Sequence, residues 1–335
     1  MLTLGIETSC DETAAAVYDA AAGRMLGSVV ASQVRIHREY GGVVPELASR
    51  EHAAVIDGVV EEALSEAGAG LSDVGAYAVT RGPGLVGALL VGLTFAKGLS
   101  LGMGGRPFVG VNHIEAHLLA VELEGGPVEL PALGLVVSGG HTTLVLMDEP
   151  GSYRVLGRTR DDAAGEALDK AAKLLGLGYP GGPVIERLSR GVGEGAAAPR
   201  FPRARLKGNK LDFSFSGLKT ALLYHVRDNG MGDVPALAAA FQEAVVDMIA
   251  STVAAAAEEC PAVSLVAGGG VMCNGPLRAA LGGVADRAGL RFHVPSPALC
   301  ADNAAMIAYT GHVLLARRGP DDLSMDADPA LGLGE

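Results

Sequence analysis

The sequence predicts an α/β protein built as two similar halves. Three observations carry that reading. Three strand-like segments near the N-terminus give way to alternating helices and strands. The same order begins again at Leu133. Pro127 and Pro131 break the chain between the two runs. With 335 residues, 49% hydrophobic and 19% charged, the chain can bury two substantial cores and is too apolar for intrinsic disorder.

In the first run, Leu2 to Thr8 reads as a buried strand ending in the polar turn Ser9-Cys10-Asp11-Glu12. Thr13 to Tyr18 and Met25 to Ser32 read as the next two strands. Pro45 suits a first helical turn and opens a helix through Glu66. Ala76 to Thr80 is a strand, Arg81-Gly82-Pro83-Gly84 a tight turn, and Leu85 to Leu101 a helix. Pro107 to Val111 is a short strand leading into a helix that starts at His113.

In the second run, Leu133 to Val137, Thr142 to Met147 and Tyr153 to Arg158 are strands, and Ala163 to Leu175 is a helix. Pro235 to Glu259 is a long helix, Val263 to Ala267 a strand, and Asn274 to Ala288 a helix. Arg291 to Val294 is a strand and Ala301 to Arg317 a last helix. The halves are therefore expected at 1–126 and 127–318, with an irregular insertion at about 176–218 and a loose, aperiodic tail at 319–335. Two βββαβα-type halves around a nucleotide cleft describe the actin-like ATPase architecture. There, the hairpin turn of each half faces the nucleotide, which marks Ser9 to Glu12 and Ser138 to Thr142. Gly268-Gly269-Gly270, between a strand and a helix, suits an adenosine or phosphate.

Cys10, Cys260, Cys273 and Cys300 form no C-x-x-C pair and no disulfide framework. The segment Met1 to Glu7 lacks a basic stretch and meets a carboxylate early, unlike a signal peptide. The apolar run Gly84 to Ala96 is shorter than the ~20 residues a spanning helix needs. No membrane association is expected, and a reducing cytoplasm is the expected location. The formal net charge of −12 argues against nonspecific nucleic-acid binding by the whole surface. Arg200, Arg203, Arg205, Lys207 and Lys210 form one acid-free basic segment, either a solvated loop or a phosphate-contacting patch.

The most ligand-like pair is His113 and His117, four apart and so stacked on one helix face. Such a pair fits a transition metal or arises by chance on a helix surface. The order is H-x-E-x-H, not the H-E-x-x-H of zinc proteases. Glu115 lies roughly 200° around the helix from either histidine, facing away from a shared ion. Asp302 precedes a helix and is either its N-cap or a third metal ligand. Two histidines and a carboxylate suit iron(II) or zinc. Placed in different halves, they would share an ion in the cleft.

Ser138-Gly139-Gly140-His141-Thr142 either cradles a phosphate with its backbone amides or is a plain hairpin turn. Asp162, Glu166 and Asp169 share a helix face, where Lys170 and Lys173 provide ion-pair partners and Asp162 suits the helix start. Asp169 draws interest because Tyr179-Pro180-Gly181-Gly182-Pro183 follows and can fold back over a ligand.

From about Leu4 to Ala316 the chain resembles the tRNA adenosine threonylcarbamoyltransferases, the TsaD or Gcp group, formerly described as O-sialoglycoprotein endopeptidases. The resemblance lies in Gly5 to Thr13, Asn112 to His117, Ser138 to Thr142, Gly165 to Lys170, Tyr179 to Pro183, Phe213-Ser214-Phe215-Ser216-Gly217-Leu218-Lys219-Thr220 and Asp302-Asn303. Tyr40 to Glu46 looks like the bacterial branch. Met272-Cys273 stands where the family usually has alanines, and Ala301 is a further small departure.

The resemblance implies transfer of a threonylcarbamoyl group from threonylcarbamoyl-AMP to N6 of the adenosine 3′ of the anticodon, in tRNAs reading codons that begin with A. It implies metal ligation by His113, His117 and Asp302, usually of Fe(2+), with Zn(2+) also compatible. It implies substrate contacts at Val136, Val137, Ser138, Gly139, Gly140, Asp169, Gly182 and Asn274, with an adenine nucleotide (threonylcarbamoyl-AMP, ATP or AMP) as ligand. Implied partners are tRNA, a paralogous TsaB-like subunit, a TsaE-like ATPase and an upstream adenylate-forming enzyme. Asp11 and Glu12 are the candidate catalytic bases near the first hairpin turn. The competing readings are a metal-dependent glycoprotein endopeptidase and an actin-like ATP-binding regulator without transfer chemistry.

Overall fold

The computed structural model describes residues 1–193, 199–203, 206 and 208–334. They form two compact units. Unit 1 comprises Met1–Pro127, Glu149–Tyr153 and Ala301–Glu335, and unit 2 comprises Val128–Asp148 and Arg154–Cys300.

Unit 1 is built on the strands β1 (Leu2–Glu7), β2 (Glu12–Asp19), β3 (Arg24–Ser32), β4 (Val74–Gly82) and β5 (Phe108–Asn112), in the order β3-β2-β1-β4-β5. β1 is antiparallel to β2 and parallel to β4. The helices between are α1 (Pro45–Ala67), α2 (Val86–Gly102) and the short α3 (His113–Leu119). Leu4, Ile6, Val17, Tyr77 and Val79 of the sheet pack with Ile56, Val60 and Leu93 of the helices. The central strands read as nearly continuous apolar runs because helices cover both faces.

Unit 2 repeats the order. Its strands are β6 (Ala132–Val137), β7 (Thr142–Glu149), β8 (Ser152–Arg158), β9 (Ser264–Gly268) and β10 (Arg291–His293), arranged β10-β9-β6-β7-β8. Counted outward from the first strand of each run, the neighbours correspond. β6 is antiparallel to β7 and parallel to β9, as β1 is to β2 and β4. The helices are α4 (Ala164–Leu174), α5 (Gly181–Ser189), α6 (Ser216–Asn229), α7 (Val234–Glu259) and α8 (Gly275–Ala288). α7 is long and apolar enough to span a membrane, but 61% of its most apolar window is buried within the fold. Phe241, Val245, Ile249 and Val253 lie in the core with Leu133, Leu135 and Leu265.

Two expected boundaries change. The last helix, α9 (Ala304–Arg318), belongs to unit 1, not to the second half. It packs on β1, β2 and β4, and Met306, Ile307 and Leu314 join Ala78 and Val111 in a buried cluster. The reason is steric. A Cβ on Gly5 would collide with the backbone of Ala304 and Ala308, so the bare glycine lets α9 lie directly on β1. Gly5→Ala is accordingly expected to destabilise the protein by ~1–3 kcal/mol, the usual cost of overpacking, read as a lowered denaturant midpoint.

The expected loose tail is strapped to unit 1. Asp321 N donates to Phe108 O at 2.8 Å, Asp328 N to Arg81 O at 3.0 Å, and Asn112 Nδ2 to Gly332 O at 2.8 Å. Leu331 is buried. The expected irregular insertion also holds structure, since α5 and the start of α6 fall within it.

Candidate active site and metal centre

The candidate metal centre starts with the end of β5, where Asn112 caps α3. Its Oδ1 accepts from Ile114 N at 2.9 Å and Glu115 N at 3.3 Å. This fixes the first turn, and both histidine rings project from it into buried space. The rings are edge to face with centroids 4.6 Å apart. Asp302 lies just before α9. Its Oδ1 is 3.2 Å from His117 Nε2 and 3.6 Å from His113 Nε2. One donor atom from each of the three residues falls within 4.8 Å of the others. All three belong to unit 1, so the expected sharing of ligands between the halves is corrected.

The alternatives for Asp302 separate cleanly. The N-cap of α9 is Asn303, whose Oδ1 accepts from Met306 N at 3.0 Å. Asp302 is thus not needed as the cap. Glu115 faces away, as the helical geometry predicts. Its Oε1 accepts from Gly151 N and Tyr153 Oη, each at 2.9 Å. Burial raises the Glu115 carboxyl despite those two donors.

One contributor escaped the sequence reading. Glu7, at the end of β1, is fully buried, and its Oε2 lies 3.0 Å from His113 Nδ1. The same oxygen accepts from Thr80 Oγ1 at 2.6 Å, and Oε1 accepts from Ser9 N at 2.5 Å. Burial alone would raise Glu7, but the charge and hydrogen bond of His113, with the Thr80 bond, hold it below the usual range. Burial opposes charge on His113, yet Glu7 and Asp302 push its imidazole up to about 9. Burial, reinforced by the charge of His113, pulls His117 down, although Asp302 favours its protonation.

The donor set fits a divalent ion. With Nδ1–H donated to Glu7, a neutral His113 presents Nε2 toward an ion beside Asp302, the carboxylate–histidine arrangement that orients metal ligands. The signal in the sequence was a carboxylate in an otherwise apolar strand. Its meaning depends on a residue 106 positions away. Glu7→Gln keeps the size and removes the charge. It is expected to lower metal affinity roughly 10- to 100-fold, measured by competition with a chelator, while leaving the fold intact.

Asp11 and Glu12 lie on the turn leaving β1 and the start of β2. Burial chiefly raises Asp11, and the Cys10 hydrogen bond opposes this. Burial, with Asp11 and Asp302 adding to it, pushes Glu12 up to about 8. Glu12 Oε1 accepts from Ser32 Oγ at 2.9 Å, while its buried Oε2 has no partner among the described residues.

In unit 2, Val136 and Val137 are buried in β6, and Ser138, Gly139 and Gly140 form the turn into β7. Ser138 N donates to His141 O at 2.8 Å, His141 N donates to Ser138 Oγ at 3.1 Å, and both glycines are exposed. Gly269, at φ 93°, passes so close to β6 that a Cβ would strike Val137 O. Gly165 at the start of α4 lies against Ser138 in the same way. One turn of α4 later, Asp169 Oδ1 accepts from Gly181 N at 2.6 Å, which folds the Tyr179–Pro183 loop back onto α4 and seats half-buried Gly182. Glu186 of α5 accepts from Gly275 N at 3.3 Å, beside Asn274. Asn274 caps α8 by accepting from Leu277 N at 3.0 Å and donates to Gln242 Oε1 at 2.8 Å. The expected substrate residues thus line one stretch of unit 2, with the Asn274 amide already engaged at both ends.

Asp162 does not cap α4. Ala163 occupies that position, and Asp162 pairs with Lys170 at 2.7 Å while Glu166 pairs with the same lysine at 2.8 Å. Of the basic segment, Arg205 and Lys207 lie outside the described residues. Arg203 pairs with Asp247 at 2.6 Å and Glu243 at 3.3 Å, and Lys210 pairs with Glu259. Arg200 is exposed.

Comparison with known proteins bears on the whole chain. The family model described as tRNA N6-adenosine threonylcarbamoyltransferase matches residues 24–309. A protein of that name from Anaeromyxobacter dehalogenans (strain 2CP-C) is 55% identical over 335 residues, covering 98% of each chain. The protein of that name from Symbiobacterium thermophilum is 50% identical over 336 residues, covering 99% of this chain and 97% of the relative. Among solved structures, component A of the Acidaminococcus fermentans (R)-2-hydroxyglutaryl-CoA dehydratase superposes with a TM-score of 0.55 at 13% identity, covering 94% of this chain and 99% of that one. A ROK family glucokinase from Streptomyces griseus gives 0.51 at 13% identity, covering 93% and 99%. At such identity these structures speak to fold alone, and the fold is the actin-like ATPase fold predicted from the repeat. Half or more of the residues are shared with these relatives along nearly the whole length, and the chain belongs to the tRNA N6-adenosine threonylcarbamoyltransferase family.

Proposed function

We propose that the protein transfers a threonylcarbamoyl group from threonylcarbamoyl-AMP to N6 of the adenosine 3′ of the anticodon in tRNAs reading codons that begin with A. The observation that carries this reading is the His113–His117–Asp302 cluster with Glu7 behind it, in a chain of this family. N6 attacks the carbamoyl carbon, the bond from that carbon to the phosphate oxygen breaks, AMP leaves, and N6 loses a proton. The leaving group is already good, so the protein has mainly to position it and stabilise charge.

In this reading His113, His117 and Asp302 hold one divalent ion, with Fe(2+) preferred over Zn(2+). Bound there, the ion supplies Lewis acidity toward carbamate or phosphate oxygens. Backbone amides of Gly139 and Gly140 bind the phosphate, on a turn that Ser138 holds through its bonds to His141. Val136 and Val137 set the height of that turn. The Asp169–Gly181 bond presents Gly182, and Asn274 fixes the start of α8 for the nucleotide. Glu12 or, failing it, Asp11 accepts the N6 proton. The orientation of Glu115 supports transferase over protease chemistry.

Mass spectrometry of tRNA nucleosides after incubation with threonylcarbamoyl-AMP and partner proteins tests the reading. Threonylcarbamoyladenosine with stoichiometric AMP is expected. Intact nucleotide binding without modified nucleoside would favour an ATP-binding regulator instead. The proposed partners are a TsaB-like subunit, a TsaE-like ATPase and an adenylate-forming enzyme, and the proposed location is the cytoplasm.

The basic segment is the proposed tRNA-binding surface. The ion pairs of Arg203 and Lys210 must open for phosphates to replace them. Neutralising Arg200, Arg203, Arg205, Lys207 and Lys210 together is expected to flatten the salt dependence of tRNA affinity, by about 0.7 to 0.9 in log–log slope for each phosphate that is no longer neutralised. An unchanged slope rejects the segment.

A further inference from the structure

Cys273 and Cys300 stand apart from the other cysteines. Cys273 ends a short 3-10 turn, Gly270–Cys273, and is exposed. Cys300 ends the segment Pro297–Cys300 and is buried. The two turns that carry them pack against each other. Each also leans on the loop between them, Cys273 Sγ on Pro297 O at 3.7 Å and Cys300 Sγ on Pro295 O at 3.5 Å. Arg278 of α8 draws the two segments together. Its guanidinium donates to Met272 O, to Pro295 O at 2.7 Å and to Cys300 Sγ at 3.1 Å.

This is the arrangement of a reactive thiol with a resolving partner. An exposed sulfur meets the oxidant, a buried one waits beside it, and a fixed cation favours the thiolate. The neighbouring Cys300 thiol lowers Cys273 to about 7, with Arg278 helping against burial and Glu186. Cys10 lies at the other extreme, pushed well up by burial and by Asp11.

We propose that Cys273 and Cys300 form a peroxide-sensitive dithiol whose oxidation ties the Asn274 turn to the Pro295–Cys300 segment by a reversible disulfide. The Cys273 thiolate attacks one oxygen of hydrogen peroxide, the O–O bond breaks, hydroxide leaves, and Cys273 becomes a sulfenic acid. The Cys300 sulfur attacks that sulfur, the S–O bond breaks, and the hydroxyl leaves as water with the Cys300 proton. Together two thiols and one peroxide give a disulfide and two waters. A dithiol such as dithiothreitol reverses it by exchange. The next residue, Asn274, caps α8, so the new bond acts where the nucleotide is proposed to bind. This consequence rests on the proposed role of Asn274.

The test treats the full chain with hydrogen peroxide and maps peptides without reduction. A Cys273–Cys300 linkage is expected, with loss of both free thiols and recovery in dithiothreitol. Cys273→Ala should keep Cys300 as a free thiol. Sulfinic acid at Cys273 without linkage, or linkage through Cys10 or Cys260 instead, overturns the proposal. The second arm measures AMP affinity before and after oxidation. A fall of up to about tenfold, the worth of one hydrogen bond, is expected and should be absent in Cys273→Ala. Linkage with unchanged AMP affinity overturns control of the Asn274 turn. Reduced protein that fails to bind AMP counts against the nucleotide reading and leaves the peptide map to judge the dithiol.

Discussion

Asp302→Ala is expected to strip the metal from the purified protein, and Asn303→Ala to retain it. The neighbours separate ligation from capping. Asn303 supplies the hydrogen bond to Met306 N that starts α9, and losing it costs about 1 kcal/mol of stability. Asp302 supplies the oxygen nearest both imidazole Nε2 atoms. Its loss should cost more than the roughly 10- to 100-fold expected when an outer partner such as Glu7 is removed. His113→Ala and His117→Ala should behave like Asp302→Ala, and Glu115→Gln should keep its metal because that carboxyl is turned toward Gly151 and Tyr153. Elemental analysis of the five variants decides. Full occupancy in the Asp302 variant would remove it from the ligand set.

Glu12→Gln is expected to slow transfer by about 10²–10⁴, the usual contribution of a positioned base, and to abolish the rise of the pH profile above neutrality. The sign follows from its environment. Glu12 is pushed up to about 8, so it is mostly protonated at neutrality and becomes a proton acceptor as the pH rises through that value. kcat/KM should therefore climb between roughly pH 7 and 9 in the native enzyme. The measurement is single-turnover formation of the modified nucleoside across that range. A Glu12→Gln enzyme with the same rise and rate would shift the role to Asp11, whose carboxyl burial also raises.

The sequence made most strands and long helices legible because strands covered on both faces leave apolar runs, and α3, α7, α8 and α9 carry Asn or Asp caps. The repeated order of strands predicted the repeated topology. Two of the missed helices, α5 and α6, were hidden for opposite reasons. α5 opens with Gly181-Gly182-Pro183, residues that read as breakers, and only the Asp169 bond seats them. α6 buries only Leu218 and Leu222, too narrow a stripe to mark the period clearly. The tail was misread because backbone bonds to Phe108 and Arg81 hold it, and such bonds leave no pattern in side-chain type.

At the site, the helical spacing of His113 and His117 and the outward turn of Glu115 followed from geometry alone. The half to which Asp302 belongs did not. It is decided by the close approach of α9 to Gly5, a contact between opposite ends of the chain. Glu7 was hidden for the same reason, since its partner is remote in sequence. The Asn274 amide, expected on the substrate, is engaged within the protein, so any contact there falls to its neighbours' backbone.

The placement of α9 in unit 1 also orders events during synthesis. Domains usually fold from the N-terminus as the ribosome releases them. Here all of unit 2 emerges while unit 1 still lacks the helix that covers β1 and the carboxylate that completes its ligand set. The nascent chain therefore carries an unfinished first domain until Asp302 and α9 have emerged. A transcript truncated before Asp302 yields a chain that lacks the third residue of the His113–His117–Asp302 cluster.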